Sequence, residues 1–165
     1  MGGATSSYKL SWRDGKDPAV LFVCGFGSGF VPFAPGTWGS LLAVAIWWFA
    51  LSPLTLMLQL LVIAVVYLLG SWATGRVQKR YDIVDDGAIV VDEFVGQWLA
   101  LLALPLELLW MAAGFALFRL FDIWKPGPIK WLERNLGGAQ GVMADDVLAG
   151  IAAAAVLQVT FLSFF

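Results

Sequence analysis

Apolar runs broken by short polar stretches set the pattern of this chain, and the polar stretches hold most of its charge. Residues 20–31 are apolar but interrupted by Gly25, Gly27 and Gly29. No small-residue cleavage site clearly follows them, so a removed signal peptide is not expected. Residues 37–51 form the first continuous run, and a second, 54–73, follows Ser52-Pro53 across a gap that only a helical hairpin can bridge. A polar stretch at 74–86 precedes the third run, 94–104, and Pro105-Leu106-Glu107 links it tightly to the fourth, 108–121. A second polar stretch, 122–146, leads into the fifth run, 147–165. The pattern predicts a polar, mobile N-terminal tail over residues 1–19 and one membrane-embedded domain over 20–165.

Crossing about 30 Å of hydrocarbon takes about 20 helical residues at 1.5 Å each. Only the second and fifth runs clearly reach that length. The first, third and fourth are short spans, extend through their flanking charged turns, or are partly re-entrant. Composition agrees: 60% of the 165 residues are hydrophobic and 13% charged, against about 25% charged in a soluble domain, and mean hydropathy is +0.81. So little charge cannot cover a water-facing surface, which excludes an ordinary soluble enzyme, a disordered tail and a nucleic-acid binder. The expected fold is all-α, a polytopic membrane helical bundle of four to five hydrophobic helices.

The net charge of −2 says less than where the charges lie. If runs one and two form one hairpin and runs three and four another, all ten Lys and Arg residues fall on one side: Lys9, Arg13, Lys16, Arg76, Lys79, Arg80, Arg119, Lys125, Lys130 and Arg134. The opposite side keeps Glu107 alone. That bias marks a cytoplasmic face and puts the C-terminus across the membrane.

The acids gather on the same side: Asp82, Asp85, Asp86, Asp92, Glu93, Asp122, Asp145 and Asp146. Carboxylates beside lipid are expensive without positive partners, which the interleaved Arg and Lys, a divalent cation, or both can supply. The chain has no His, which removes a Ser-His-Asp triad, His-ligated zinc and phosphohistidine chemistry, and its one Cys excludes an intrachain disulfide. Oxygen ligands alone favour a hard ion such as Mg²⁺. Cys24 lacks the Arg six residues on that cysteine phosphatases use, Phe30 standing there, and reads as a small apolar residue.

Two structural readings compete. Asp92-Glu93 and Asp145-Asp146 each begin an apolar run, where carboxylates cap free N–H groups. Asp122 instead follows a run, where the helix dipole disfavours an acid, although Arg119 and Lys125 stand three residues either side as local ion-pair partners. Residues 35–40, Pro-Gly-Thr-Trp-Gly-Ser, lead into a helix whose N-terminus can cradle phosphate, or whose glycines let membrane helices pack closely.

Together, Pro35-Gly36-Thr37-Trp38-Gly39-Ser40, the stretch from Ile89 through Asp92-Glu93 to Gln97, the stretch from Phe118 through Arg119 and Asp122 to Pro126, and the stretch from Gly141 through Asp145-Asp146 to Gly150 resemble the ordered motifs of the phosphatidylglycerophosphatase A family. The resemblance covers roughly residues 25–150. It implies a Mg²⁺-dependent lipid phosphatase of the bacterial inner membrane, multi-pass, with phosphatidylglycerophosphate as substrate and phosphatidylglycerol as product. It assigns Asp85, Asp92, Glu93, Asp122, Asp145 and Asp146 to the acidic site, all but Asp85 as metal ligands, with Thr37, Arg119 and Lys125 on the phosphate side. Some members carry His where this chain has Val84, so a histidine base is not available here.

A phosphate monoester dianion repels an attacking hydroxide, and carboxylate-held Mg²⁺ counters that repulsion while acidifying water. No Asp here sits in the Asp-x-Asp loop of aspartyl-phosphate phosphatases, which favours water as nucleophile over a carboxylate. Two other classes compete: a CDP-alcohol-type headgroup transferase, echoed by Asp86-Gly87 but lacking its Ala-Arg pair at Val90-Val91, and a transporter or scaffold. Acids at helix ends rather than at mid-membrane speak against transport.

Overall fold

The computed structural model describes residues 8–84 and 86–164, and every regular element among them is helical. The elements are α1 (Pro18–Val23), α2 (Pro35–Ile46), α3 (Leu56–Tyr81), α4 (Val91–Leu101), α5 (Leu108–Trp124), α6 (Gly127–Asn135) and α7 (Gly138–Phe164). A π turn, Trp47–Leu51, extends α2, and 3₁₀ turns lie at Asp14–Lys16 and Gly25–Phe30. Two helices are long and apolar enough to cross a membrane, Leu56–Tyr81 and Gly138–Ser163. They hold most of the second and fifth apolar runs.

Local chemistry sets the boundaries. Asp17 caps α1 by accepting the Ala19 amide at 2.9 Å, with Pro18 at the first helical position. Thr55 caps α3, and that helix runs past its apolar stretch to Tyr81, where Asp82 turns left-handed at φ 53°. Helix α7 likewise starts nine residues ahead of the fifth run, so Asp145 and Asp146 lie about two turns inside it rather than at its start. The capping reading of that pair therefore fails. Asp92 and Glu93 do occupy the first turn of α4.

The third run also has a different place from that of a lipid-facing span. Helix α4 is short, nearly all of its side chains are buried, and it packs against α2, α3, α5 and α7. It is apolar because it is the hub of the bundle, surrounded by helices as a central strand is by a sheet. Trp98 donates Nε1–H to the Ala43 carbonyl of α2 at 2.9 Å, and the Val90 amide donates to Val23 of α1 at 2.8 Å.

Its closest neighbour is α7. A Cβ placed on Gly150 would stand 3.0 Å from the Cα and carbonyl carbon of Gly96 and closer still to the Gly96 oxygen, and one on Gly96 would meet the Asp146 oxygen and the Phe118 ring. Backbone therefore touches backbone, which only glycine permits. Gly96 is one turn beyond Asp92, and Gly150 one turn beyond Asp146. The crossing thus fixes the register of these two carboxylates.

The stretch expected to be a free tail is docked where it is described. The Leu10 amide donates to Asp86 Oδ2 at 2.8 Å, the Leu10 side chain is buried, and Arg80 pairs with Asp17 at 2.7 Å. These contacts hold the basic N-terminal segment against the basic end of α3. At the other end, Gln158 Nε2 donates to the Leu102 carbonyl at 3.0 Å and Trp110 stacks edge-on to Phe161. The end of α7 therefore lies beside the α4–α5 turn, away from the cations.

Candidate active site

Three helices converge at the basic end around a cavity of about 320 Å³. Helix α4 contributes Asp92 and Glu93, α5 contributes Asp122 with Lys125 at its left-handed C-cap, and α7 contributes Asp145 and Asp146. Asp92, Asp145 and Asp146 are only 8%, 4% and 3% exposed. Five acidic residues predicted for the site are thus brought together in one wall. Asp85, the sixth, lies outside the described residues.

Cations thread the acids. Arg119 donates Nη1–H to Asp122 Oδ2 and lies 3.7 Å from Glu93 Oε1, and Lys125 Nζ donates to Asp145 Oδ2 at 2.6 Å. Arg119 and Lys125, expected on the phosphate side, therefore also hold acids in place. Thr37 does not line the cavity; it is half-buried in the first turn of α2. Its neighbour Gly36 makes the approach instead, because a Cβ there would collide with Glu93 Oε1 and come within 3.1–3.2 Å of the Arg119 guanidinium. The glycine of Pro35-Gly36-Thr37 thus serves close packing, and Thr37 follows it outside the cavity wall.

The charge does not balance within the protein groups. Among the described residues the five site carboxylates, with Asp86 a sixth on the cavity wall, outnumber the cations Arg119 and Lys125 in a largely buried place, and each uncompensated buried charge costs several kcal/mol. The imbalance has a geometric focus. Asp92 Oδ1, Glu93 Oε2 and Asp146 Oδ2 are buried without a hydrogen-bond partner, although buried polar atoms are nearly always satisfied. These same three residues each offer a carboxylate oxygen, all within 4.8 Å of one another. Three converging carboxylates, each with an unsatisfied hard oxygen, fit a divalent cation, so the acidic cluster can bind a metal ion.

Part of the wall was not anticipated. Gly137, Gly138 and Gly141 line the cavity, Gly138 at φ 65° where α7 begins, and Gly87 and Ile89 close it from the loop before α4. The glycine pair ahead of the acid pair in the sequence is the signal that could have marked this edge. Asp86 also lines the cavity, but its oxygens accept the Leu10 and Ala88 amides and so hold the loop. Cys24 is fully buried, and burial followed by the charges of Asp86 and Asp14 pushes its thiol up to about 12, which fits the inert reading.

Comparison with known proteins is consistent with this arrangement. A family model described as phosphatidylglycerophosphatase A matches residues 21–161. A protein of that name from Escherichia coli (strain K12) is 42% identical over 93% of this chain and 87% of its own length. A Haemophilus influenzae protein of the same name is 43% identical over 86% of this chain and 87% of its own length. A Bacteroides thetaiotaomicron relative, 47% identical over 80% of this chain and 86% of its own, carries the provisional name phosphatidylinositol-3-phosphatase. No solved structure matches the chain.

Proposed function

The chain belongs to the phosphatidylglycerophosphatase A family, and on that premise we propose that it hydrolyses the terminal phosphate of phosphatidylglycerophosphate, yielding phosphatidylglycerol, at the cytoplasmic face of a bacterial inner membrane that it crosses several times. The observation that carries the reading is the set of three orphaned carboxylate oxygens on α4 and α7. Mg²⁺ fits their chemistry; Asp92, Glu93 and Asp146 would hold it, with Asp122 and Asp145 alongside. When bound, Mg²⁺ would supply positive charge against the phosphoryl oxygens and acidify water.

The chain's own residues do the rest. Arg119 and Lys125 bring fixed positive charge to a cavity that would otherwise repel a phosphate dianion. A water oxygen bonds to phosphorus as the bond from phosphorus to the terminal glycerol oxygen breaks. The water's proton passes to a wall carboxylate, and a proton returns to the leaving alkoxide. Thr37, the residue after Gly36, is assigned to the phosphate side by the family motif alone, and Asp85 belongs to the same acidic loop in sequence.

The test is one experiment on purified protein in detergent micelles. Phosphate release from phosphatidylglycerophosphate should require Mg²⁺, stop with EDTA and return on adding Mg²⁺. Phosphatidylinositol 3-phosphate should be a poorer substrate, and CDP-diacylglycerol with glycerol 3-phosphate should release no CMP. CMP release would point to the transferase class, and full phosphatase activity without metal would remove the metal assignment.

A further inference from the structure

Beside the polar cavity runs a second one of almost opposite character. It has a volume of about 570 Å³, lies between α3, α4 and α7, and its wall includes Leu60, Ala64, Leu68, Leu99, Ala144 and Ile151. Ionisable carboxylate and ammonium groups are missing from its wall; Tyr67 brings the one hydroxyl among the lining residues. That hydroxyl sits at the acidic end, where it donates to Gln140 Oε1 at 3.1 Å.

The two cavities share a partition. Ala144 faces the apolar groove and Asp145 the acids; Leu136 faces the groove and Gly137 the acids; Val95 of the groove lies two residues beyond Glu93. From there the groove follows α7 from Ala144 to Ile151, seven helical rises or about 10 Å at 1.5 Å each, away from the charged end. Leu60, Leu68 and Ile151 are 41%, 66% and 50% exposed, so it opens sideways, along the two helices long enough to span a membrane.

A ligand matching this pair of cavities is charged at one end and hydrocarbon at the other. We propose that the α3–α4–α7 groove holds an acyl chain of the lipid whose phosphate occupies the acidic cavity, so that substrate enters laterally between α3 and α7. This rests on the phosphatase reading. In a bilayer the chain leaves hydrocarbon for hydrocarbon, so the groove gains little affinity from solvent exclusion and acts by packing. Its effect is orientation: it holds the headgroup at the depth of the acids, the kind of positioning that governs rate.

The test compares phosphate release from dioleoyl phosphatidylglycerophosphate and from its deacylated, water-soluble headgroup, in detergent micelles with Mg²⁺. Ala64→Trp fills the groove from an exposed position on α3, and Ala116→Trp, exposed on α5 outside the groove, is the control. The ratio of kcat/KM for the diacyl substrate to that for the headgroup should fall at least tenfold in Ala64→Trp and stay within twofold of wild type in Ala116→Trp. Ile151→Trp should repeat the loss from the α7 side and replaces Ala64→Trp if that variant does not fold. An unchanged ratio in both groove variants, as for a groove filled only by bulk lipid, would overturn the inference. So would a fall matched by the control, or one accompanied by loss of a crosslinkable dimer, which would make a second copy the occupant. If wild type releases phosphate from neither compound, it is the phosphatase reading that fails.

Discussion

Gly150→Ala tests whether the backbone crossing of α4 and α7 sets the acidic site. The added Cβ would stand 3.0 Å from the Gly96 Cα and carbonyl carbon, whereas carbon atoms pack at about 3.5–4.0 Å. Backbone cannot rotate aside as a side chain can, and the Gly96 oxygen lies closer still, so the helices must part by about 1 Å or more at that level. Overpacking of this kind costs about 1–3 kcal/mol. The larger effect is on chemistry, because Asp146 lies one turn from Gly150 and must keep its place against Asp92 and Glu93. A displacement near 1 Å at a reacting centre costs about 10²-fold in rate.

The assay is the initial rate of phosphate release at saturating Mg²⁺, paired with the thermal midpoint of the same sample. Gly114→Ala provides the comparison, since the Cβ there would meet Leu101 Cδ2, the tip of a side chain that can turn away, far from the acids. Gly150→Ala should lose about 10²-fold while remaining folded, and Gly114→Ala should stay near wild type. Wild-type turnover in Gly150→Ala, or equal losses in both variants, would refute the argument that the crossing positions the site.

Asp92→Asn, Asp122→Asn and Asp146→Asn should each lower turnover at least about 10²-fold with insertion intact, because each removes charge worth several kcal/mol to phosphoryl transfer. Asn caps about as well as Asp, so wild-type rates in Asp92→Asn and Asp122→Asn would defeat the site, and Glu107→Gln at the far end should be silent. Reporter fusions after Ser52 and Phe165 should read as periplasmic and one after Arg80 as cytoplasmic; a cytoplasmic C-terminus would contradict the placement of all ten cations on one face. Cys24, raised to about 12, stays protonated below that pH and gains its reactive thiolate only as pH approaches it. It should resist maleimide at pH 8 until the protein is unfolded, and rapid native labelling would show the thiol to be accessible.

What the sequence revealed and what it hid follow from what each run packs against. The acids and cations of one face were legible because hydrocarbon forces charge to helix ends, and no other arrangement of 74–86 and 122–146 is affordable. The role of α4 was hidden, since residues buried among helices and residues facing lipid have the same composition. The start of α7 was hidden too: Gly138, Ala139, Gln140 and Gly141 carry no apolar signal, yet they are helical where α3 lies against them, Gly75 beside Ala139 and Tyr67 donating to Gln140. This is why Asp145-Asp146 resembled a cap. Helix α6 sat unnoticed inside a polar stretch, with its Ile129 reaching the core.

The crossing at Gly96 and Gly150 also orders events during synthesis. Asp92 and Glu93 leave the ribosome well before Asp146 does, and Gly150, which brings the last of these acids into register, comes later still. A chain truncated ahead of α7 therefore keeps Asp92, Glu93 and Asp122 but lacks Asp145 and Asp146, and has no partner for the α4 face at Gly96.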